Sequence, residues 1–416
     1  MTSHIDCSVT PVSSQLAILD RSLTMRRARK MEVVQASMSA IAAVLTVIHC
    51  GSAAISAWRQ RSRRKAVGPS PHARISIVRP LKGMDPWTEA CLESTFRLSW
   101  TNLEIVFCVA SDDDPVVPLV SRIIERFPET GATLLVGNCR MSNNPKLNNM
   151  AKAWGKVDGD WIVFVDANVN LPADAVERLL AKDGPGVGLV SSPPRAVAPI
   201  GAAAVVECAI LNSYQGRWQT LADSIGYGFA QGKVLAFKRH VLERSSGLSM
   251  LGHEPAEDAA ATKLVRSIGL HVRLVDSFFD QPVGRRTWQE IWQRQARWAS
   301  LRRATFPWQY STEVLSFPWL AAAFVALSAD TLVSSATVAA LLLFAWYAAE
   351  AVCSAIAGWP ERTRDRILRD FIMPAVWLRG WLFADFEWHG HKMRAESIIV
   401  SAESRHAVRP LQDAPR

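Results

Sequence analysis

No cysteine framework organises this chain. The 7 cysteines (Cys7, Cys50, Cys91, Cys108, Cys139, Cys208, Cys353) are odd in number, scattered and without CxxC spacing. That excludes a disulfide scaffold and a cysteine-based zinc site, and it suits a reducing compartment for the middle of the chain. Acidic charge is also short: 38 Asp and Glu stand against 47 Lys and Arg, for a net charge of +9 and a pI of 9.4. A basic chain attracts anionic partners. No aromatic-and-basic stacking motif occurs outside a membrane-flanking helix, so no nucleic-acid partner is expected. The basic residues lie beside apolar runs and among tryptophans, which points to anionic lipid headgroups.

Apolar sequence is plentiful and unevenly placed. Hydrophobic residues make up 49% of 416 residues and the mean hydropathy is +0.07, although 20% of residues are charged. Long apolar runs lie at both ends, with an ordinary mixed region between them, as in a membrane protein with a water-exposed middle. Residues 1–32 read as a disordered stretch ending in the basic knot Arg26, Arg27, Arg29, Lys30. Residues 33–58 carry no charge, and their roughly 39 Å as a helix exceeds the ~30 Å of a bilayer core. The run lies well inside the chain and lacks a small-residue cleavage site, so an uncleaved transmembrane helix is expected rather than a signal peptide. Basic residues from Arg59 to Lys65 follow it, and Pro69 to His72 reads as a linker. After the middle region, 314–356 reads as a transmembrane hairpin with Asp330 near its turn. Residues 371–388 carry Arg379 and Asp385, which are costly against lipid, and read as a transmembrane or re-entrant helix. A disordered tail is expected over 402–416. Charge bias places the middle region on the cytoplasmic side of a multi-pass membrane protein.

The middle region, 74–310, alternates strand-like and helix-like segments, which predicts a mostly parallel sheet flanked by helices. Strands are expected over Arg74 to Val78, broken by Pro80, and over Leu103 to Ala110, Thr133 to Val136 and Trp161 to Val165. Helices are expected over Pro86 to Phe96, Val117 to Phe127 and Asn148 to Trp154. The region ends in Arg285 to Arg303, where Trp288, Ile291 and Trp292 share one helical face opposite arginines, the composition of an interfacial helix.

Chemistry-bearing residues recur at the ends of these segments. Trp161-Ile-Val-Phe-Val-Asp166-Ala-Asn168 is a buried strand ending in a carboxylate, where open α/β sheets bind ligands. Such a carboxylate, with Asn168 two residues on, suits a divalent metal holding a diphosphate. Asp112-Asp113-Asp114 follows another strand and can accept hydrogen bonds from a nucleoside. Lys146, in Asn144-Pro145-Lys146, can pair with phosphate. Glu257-Asp258 opens a helix. Arg294 and Arg297, about one turn apart, can grip a diphosphate leaving group.

This ordered set resembles the inverting GT-A glycosyltransferases, and most closely the ceramide glucosyltransferase family with its related bacterial lipid enzymes. The resemblance is carried by Arg79-Pro80-Leu81-Lys82-Gly83, Asp85-Pro86, Asp113-Asp114-Pro115, Asn144-Pro145-Lys146-Leu147-Asn148-Asn149, Asp166, Ala256-Glu257-Asp258 and Arg294-x-x-Arg297-Trp298. It covers about residues 74–310. It implies a UDP-sugar donor touched by Asp113, Asp114 and Lys146, and a Mg2+ or Mn2+ diphosphate complex on Asp166. It also implies Asp258 as the general base, with Arg294, Arg297 and Trp298 around the diphosphate and acceptor. Glucose or galactose would pass to a lipid hydroxyl, ceramide first, with diacylglycerol, a hopanoid lipid or processive addition of more than one sugar as alternatives, at a bacterial inner membrane. Two departures stand out. The usual DxD is Asp166-Ala-Asn168, and Gln215-Gly216-Arg217 replaces the His-Pro-Arg of the animal-type enzymes, in a segment expected near Glu257 and the acceptor.

Overall fold

A computed structural model describes residues 12–61, 73–137, 139–142, 144–244, 247–254, 256–329, 331–383, 385–388 and 391–394. Asp330, most of the basic stretch after Arg59 and the tail from 402 lie outside the described residues.

Among the described residues, the middle region contains nine strands: β1 Ile75–Leu81, β2 Leu103–Val109, β3 Ala132–Val136, β4 Trp161–Val165, β5 Val187–Ser191, β6 Pro194–Ile200, β7 Val234–Lys238, β8 His271–Leu274 and β9 Phe279–Arg285. Seven form one sheet in the order β3-β2-β1-β4-β7-β5-β8, while β6 and β9 pair as a separate parallel ribbon. Within the large sheet only β7 runs antiparallel to its neighbours. The apolar runs follow from this architecture. On β4, Ile162 and Phe164 enter one core, while Trp161, Val163 and Val165 enter the core on the opposite face. A strand covered on both faces needs apolar residues at every position.

Pro80 does not end β1, contrary to the expectation from sequence. The strand runs on to Leu81 and pairs Pro80 with Cys108 of β2. Pairing with β4 stops at Val78, so Pro80 has one strand neighbour, a setting that tolerates its missing N–H.

Among the described residues, two helices are long and apolar enough to cross a membrane, Leu23–Arg61 and Leu332–Ala357. A bent pair, Pro307–Ser316 with Pro318–Leu327 at 59°, allows a third span. The first belongs to a longer helix, Val12–Arg61, so part of the stretch expected to be disordered is helical. In the unit formed by residues 1–49 and 315–346, the His49 ring stacks on Trp346 with centroids 3.6 Å apart, and its Nε2 donates to the Trp346 carbonyl at 3.1 Å.

The second unit, residues 50–314 and 347–416, holds the sheet. Arg59, read from sequence as a membrane flank, is instead buried. It donates to Asp223 at 2.6 Å, Asp276 at 3.0 Å and the Leu274 carbonyl at 2.8 Å. The segment read as a membrane or re-entrant helix over 371–388 is helical over Thr363–Leu382 and then turns into a strand, Asp385–Trp388. Its helix packs on Trp288–Thr305, and Trp377 and Tyr310 exchange hydrogen bonds at 2.7 and 2.9 Å. The three apolar residues assigned to one face of Trp288–Thr305 are split: Ile291 is buried, while Trp288 and Trp292 are exposed. The tertiary partners of this helix, not its amphipathic pattern, decide which residues face inward.

Candidate active site

The carboxyl end of β4 carries the centre of the site. Asp166 accepts Lys146 Nζ at 2.6 Å on one oxygen and Lys233 Nζ at 2.9 Å on the other. Its backbone N–H donates to the Lys233 carbonyl at 3.0 Å. The antiparallel register that pairs Val165 with Val234 sets this juxtaposition, because the residue before Val234 must then lie beside the residue after Val165. Beneath, the buried Arg79 guanidinium donates to the carbonyls of Asp166 at 2.8 Å and Val169 at 2.7 Å, and to Thr95 Oγ1 at 2.6 Å. It locks the turn that follows β4.

Lys146 arrives on the helix Pro145–Trp154, whose start the sequence explains. Asn144 caps it, accepting from the Lys146 and Leu147 N–H groups at 2.9 and 3.2 Å, and Pro145 stands at its first turn, where a missing N–H costs nothing. The expected start at Asn148 is therefore corrected to Pro145. Asn148 accepts from the Met141 and Ser142 N–H groups, and Asn149 donates to the Leu81 carbonyl at 3.2 Å. A lysine in a first helical turn opposes the helix dipole. It is held there by acids: Lys146 Nζ lies 2.6 Å from both Asp166 and Glu257, and it also donates to the Gly232 carbonyl. Glu257 in turn accepts from the Asn144 side chain at 2.9 Å.

Glu257 and Asp258 open the helix Glu257–Ser267. Asp258 is half-buried and accepts the Gly232 and Ala259 N–H groups, each at 2.8 Å. Burial, then the Glu257 charge, pushes its carboxyl up to about 6 despite Lys146 and these two bonds. Asp166 moves the other way. Burial raises it, but Lys146 and Lys233 prevail and hold it at about 2. The two carboxyls are thus driven apart, one kept ionised and one poised to take a proton, the pattern expected of groups with different chemical roles. Burial also opposes charge on Lys146, but Asp166 and Glu257 outweigh it and raise its pKa.

Gly232 makes this packing possible. A Cβ there would lie 3.0 Å from Glu257 Oε1 and 3.3 Å from Asp258 Oδ2. Gly232→Ala is expected to displace both acids and lower kcat by about tenfold to hundredfold, as small misplacements of reacting groups do. Steady-state kinetics on the folded variant checks this.

The other residues singled out from sequence form separate groups. Asp114, in the turn after β2, accepts the Gly83 N–H on both oxygens at 3.0 Å and the Val116 N–H at 3.0 Å. It ties the Pro-Leu-Lys-Gly turn, where Gly83 has φ +65, to the next helix; Asp113 beside it is exposed. Arg294 pairs with the fully buried Glu207. Arg297 lies one turn on, its pKa lowered to about 10 by burial and then by Arg294. Trp298 packs on a cluster that includes Ala196, Leu211 and Val283. Gln215 donates to Gln295 at 3.2 Å, and so joins the arginine-bearing helix. Arg217 is buried elsewhere: it donates to the Ser213 carbonyl at 2.8 Å and lies 3.5 Å from Glu350, which also pairs with Arg369 at 3.0 Å. This places Arg217 in a buried ion cluster.

A divalent metal on Asp166 does not fit the residues present. The Asp166-Ala-Asn168 turn offers one carboxylate and one amide oxygen. Both carboxylate oxygens hold ammonium groups, and Lys233 Nζ lies between Asp166 at 2.9 Å and Asn168 Oδ1 at 3.1 Å. Among the described residues no group of three His, Cys, Asp or Glu side chains is arranged to hold a metal ion.

Comparison with known proteins places this arrangement. The family model for glycosyl transferase family 21 matches residues 39–398. The chain belongs to glycosyl transferase family 21. Its mostly parallel sheet is accordingly of the GT-A type. Among curated proteins it is similar to a ceramide glucosyltransferase of Komagataella phaffii, 36% identical over 124 residues that cover 28% of this chain and 24% of that one. It is also similar to ceramide glucosyltransferase 3 of Caenorhabditis elegans, 24% identical over 61% of this chain and 56% of that one. The chain thus spans about a quarter to just over half of the length of these curated relatives. Among solved structures, a mannosyltransferase from Pyrobaculum calidifontis, described in complex with GDP-Man and Mn2+, aligns at a TM-score of 0.47 and 20% identity. That alignment covers 80% of this chain and 99% of that one.

Proposed function

We propose that this chain transfers a hexose, glucose or galactose, from a UDP-sugar to a lipid hydroxyl, with inversion, at the cytoplasmic surface of a membrane. Ceramide is the acceptor this reading favours, giving a β-glycosylceramide. The observation that carries the reading is Asp258, a half-buried carboxyl pushed up to about 6 and joined through Gly232 and Lys146 to the strand-end Asp166. Ionised Asp258 takes the proton of the acceptor hydroxyl. The acceptor oxygen then forms a bond to the anomeric carbon from the face opposite the diphosphate, the sugar–phosphate bond breaks, and UDP leaves with the electron pair. An α-linked donor gives a β product.

The nucleotide would lie along the carboxyl ends of β1, β2 and β4, near Asp113 and Asp114. Charge growing on the leaving diphosphate calls for fixed cations; Lys146 and Lys233 stand at this sheet edge, and Arg294 and Arg297 would supply charge from the helix Trp288–Thr305. Trp298 and the Gln215–Gln295 pair would border the acceptor. Ceramide and glucose come from the names of the curated relatives, and the two membrane-length helices agree with a lipid substrate.

Membranes expressing the chain, given labelled UDP-glucose or UDP-galactose with ceramide or diacylglycerol offered separately, test the reading. Labelled monohexosylceramide is the expected product. Label on diacylglycerol alone moves the acceptor assignment, and no lipid-soluble label from either donor removes the proposal.

A further inference from the structure

The divalent cation that a DxD turn would hold has a counterpart built into this chain. Lys233 Nζ bridges the two polar side chains of that turn, donating to Asp166 Oδ2 and Asn168 Oδ1. It is not a loosely tethered surface lysine. Its side chain is 15% exposed, and its carbonyl accepts the Asp166 N–H at 3.0 Å. The register of β4 against β7 fixes both residues. The second oxygen of Asp166 is held by Lys146, which Glu257 shares. A divalent ion entering here would meet the ammonium groups of Lys146 and Lys233, and the turn itself offers one carboxylate, Asp166. Like charges this close in a partly buried site cost far more than in water. The change from Asp to Asn at the second position of the turn has the same sense: it removes a negative charge that a divalent ion needs and a monovalent ammonium does not.

We infer that Lys233 replaces the divalent metal, bridging the Asp166–Asn168 turn to the donor's diphosphate, so that nucleotide binding and transfer need no metal ion. An ammonium can do this part of the chemistry. It carries charge to a phosphate oxygen and, with three donors, can hold Asp166, Asn168 and the diphosphate together. This inference rests on the UDP-sugar reading above.

The test measures UDP binding to the purified, detergent-solubilised full chain by calorimetry, in excess EDTA and in excess Mn2+, alongside the solution Mn2+ electron-paramagnetic signal. For the wild-type chain, the Kd for UDP is expected to change by less than about twofold between the two conditions, and stoichiometric protein should leave the free Mn2+ signal undiminished. Lys233→Met is expected to weaken UDP binding about tenfold or more in EDTA, to quench the Mn2+ signal through the vacated turn, and to regain UDP affinity with Mn2+. Lys233→Arg is expected to keep metal-free binding. A wild-type Kd that rises about tenfold in EDTA, or stoichiometric Mn2+ uptake by the wild-type chain, overturns the inference and leaves the donor reading standing. Equal UDP affinity of Lys233→Met and wild type in EDTA also overturns it. UDP binding in neither condition removes the donor reading and this inference with it. The wild-type measurements decide the matter even where Lys233→Met fails to fold.

Discussion

Asp258→Asn is expected to reduce sugar transfer by about 10²–10⁴-fold, the range set by loss of a general base, with the donor's Kd little changed. The loss belongs in kcat because the amide removes proton transfer but leaves Lys146, Asp166 and Lys233 in place. The variant should stay folded. Replacing a carboxylate that burial and Glu257 disfavour in its charged form relieves a cost, while the amide can accept only one of the two N–H groups from Gly232 and Ala259. These effects oppose each other, so melting temperature is expected to move by no more than about 5 °C. The wild-type pH profile provides a second check. A base must be ionised, so kcat should rise with pH through about 6, where Asp258 titrates, and Asp258→Glu should keep an acid limb that Asp258→Asn lacks. The stability contribution of Asp258 has the opposite sense: a carboxyl whose folded value is raised favours the fold most when protonated, and that contribution is lost as pH rises to about 6. Undiminished turnover by Asp258→Asn would remove Asp258 as the base.

Much of the site is legible in sequence because strand ends are. The run Trp161 to Val165 is apolar at every position, so a doubly covered strand with Asp166 at its mouth follows from composition alone. Asn144-Pro145-Lys146 is legible as chemistry but not as structure. A phosphate-binding lysine could be guessed, whereas the role of Asn144 as both helix cap and partner of Glu257 needs Glu257 to be nearby in space. Lys233 carried no signal. It lies 67 residues beyond Asp166, and only the antiparallel pairing of β7 with β4 brings the two together. A reader expecting parallel strands throughout would place it elsewhere. Arg79 is legible as a motif residue and not as a turn lock, because most of its partners are carbonyls, which sequence does not mark. Arg217 shows the reverse error. Its position near Gln215 suggests the acceptor, yet two residues, about half a helical turn, are enough to carry its side chain into a buried ion cluster with Glu350 and Arg369.

Lys146→Met is expected to be the most destabilising single change in the site, by about 3–5 kcal/mol, the range for removing one partner of a buried ion pair. The methionine keeps the apolar stem and leaves Asp166 and Glu257 facing each other with one ammonium, Lys233, on the Asp166 side only. The loss should shrink at low pH, and the sign can be worked out. Asp166 is held at about 2 when folded, with Lys146 and Lys233 prevailing over burial. Its stabilising contribution is therefore present above its ordinary value of about 4 and is lost as pH falls to 2. Without Lys146 that contribution largely disappears, so wild type and variant should converge in stability between pH 4 and 2 and differ most at neutral pH. Adding Glu257→Gln to Lys146→Met should recover part of the loss, because one of the two stranded charges is gone, and the double-mutant coupling should lie within about 0.5–3 kcal/mol. Denaturant melts of the three variants across this pH range measure both quantities. Additive losses, with no recovery in the double variant, would mean that Lys146 and Glu257 stabilise the protein through other partners and that the 2.6 Å bridge between them contributes nothing of its own.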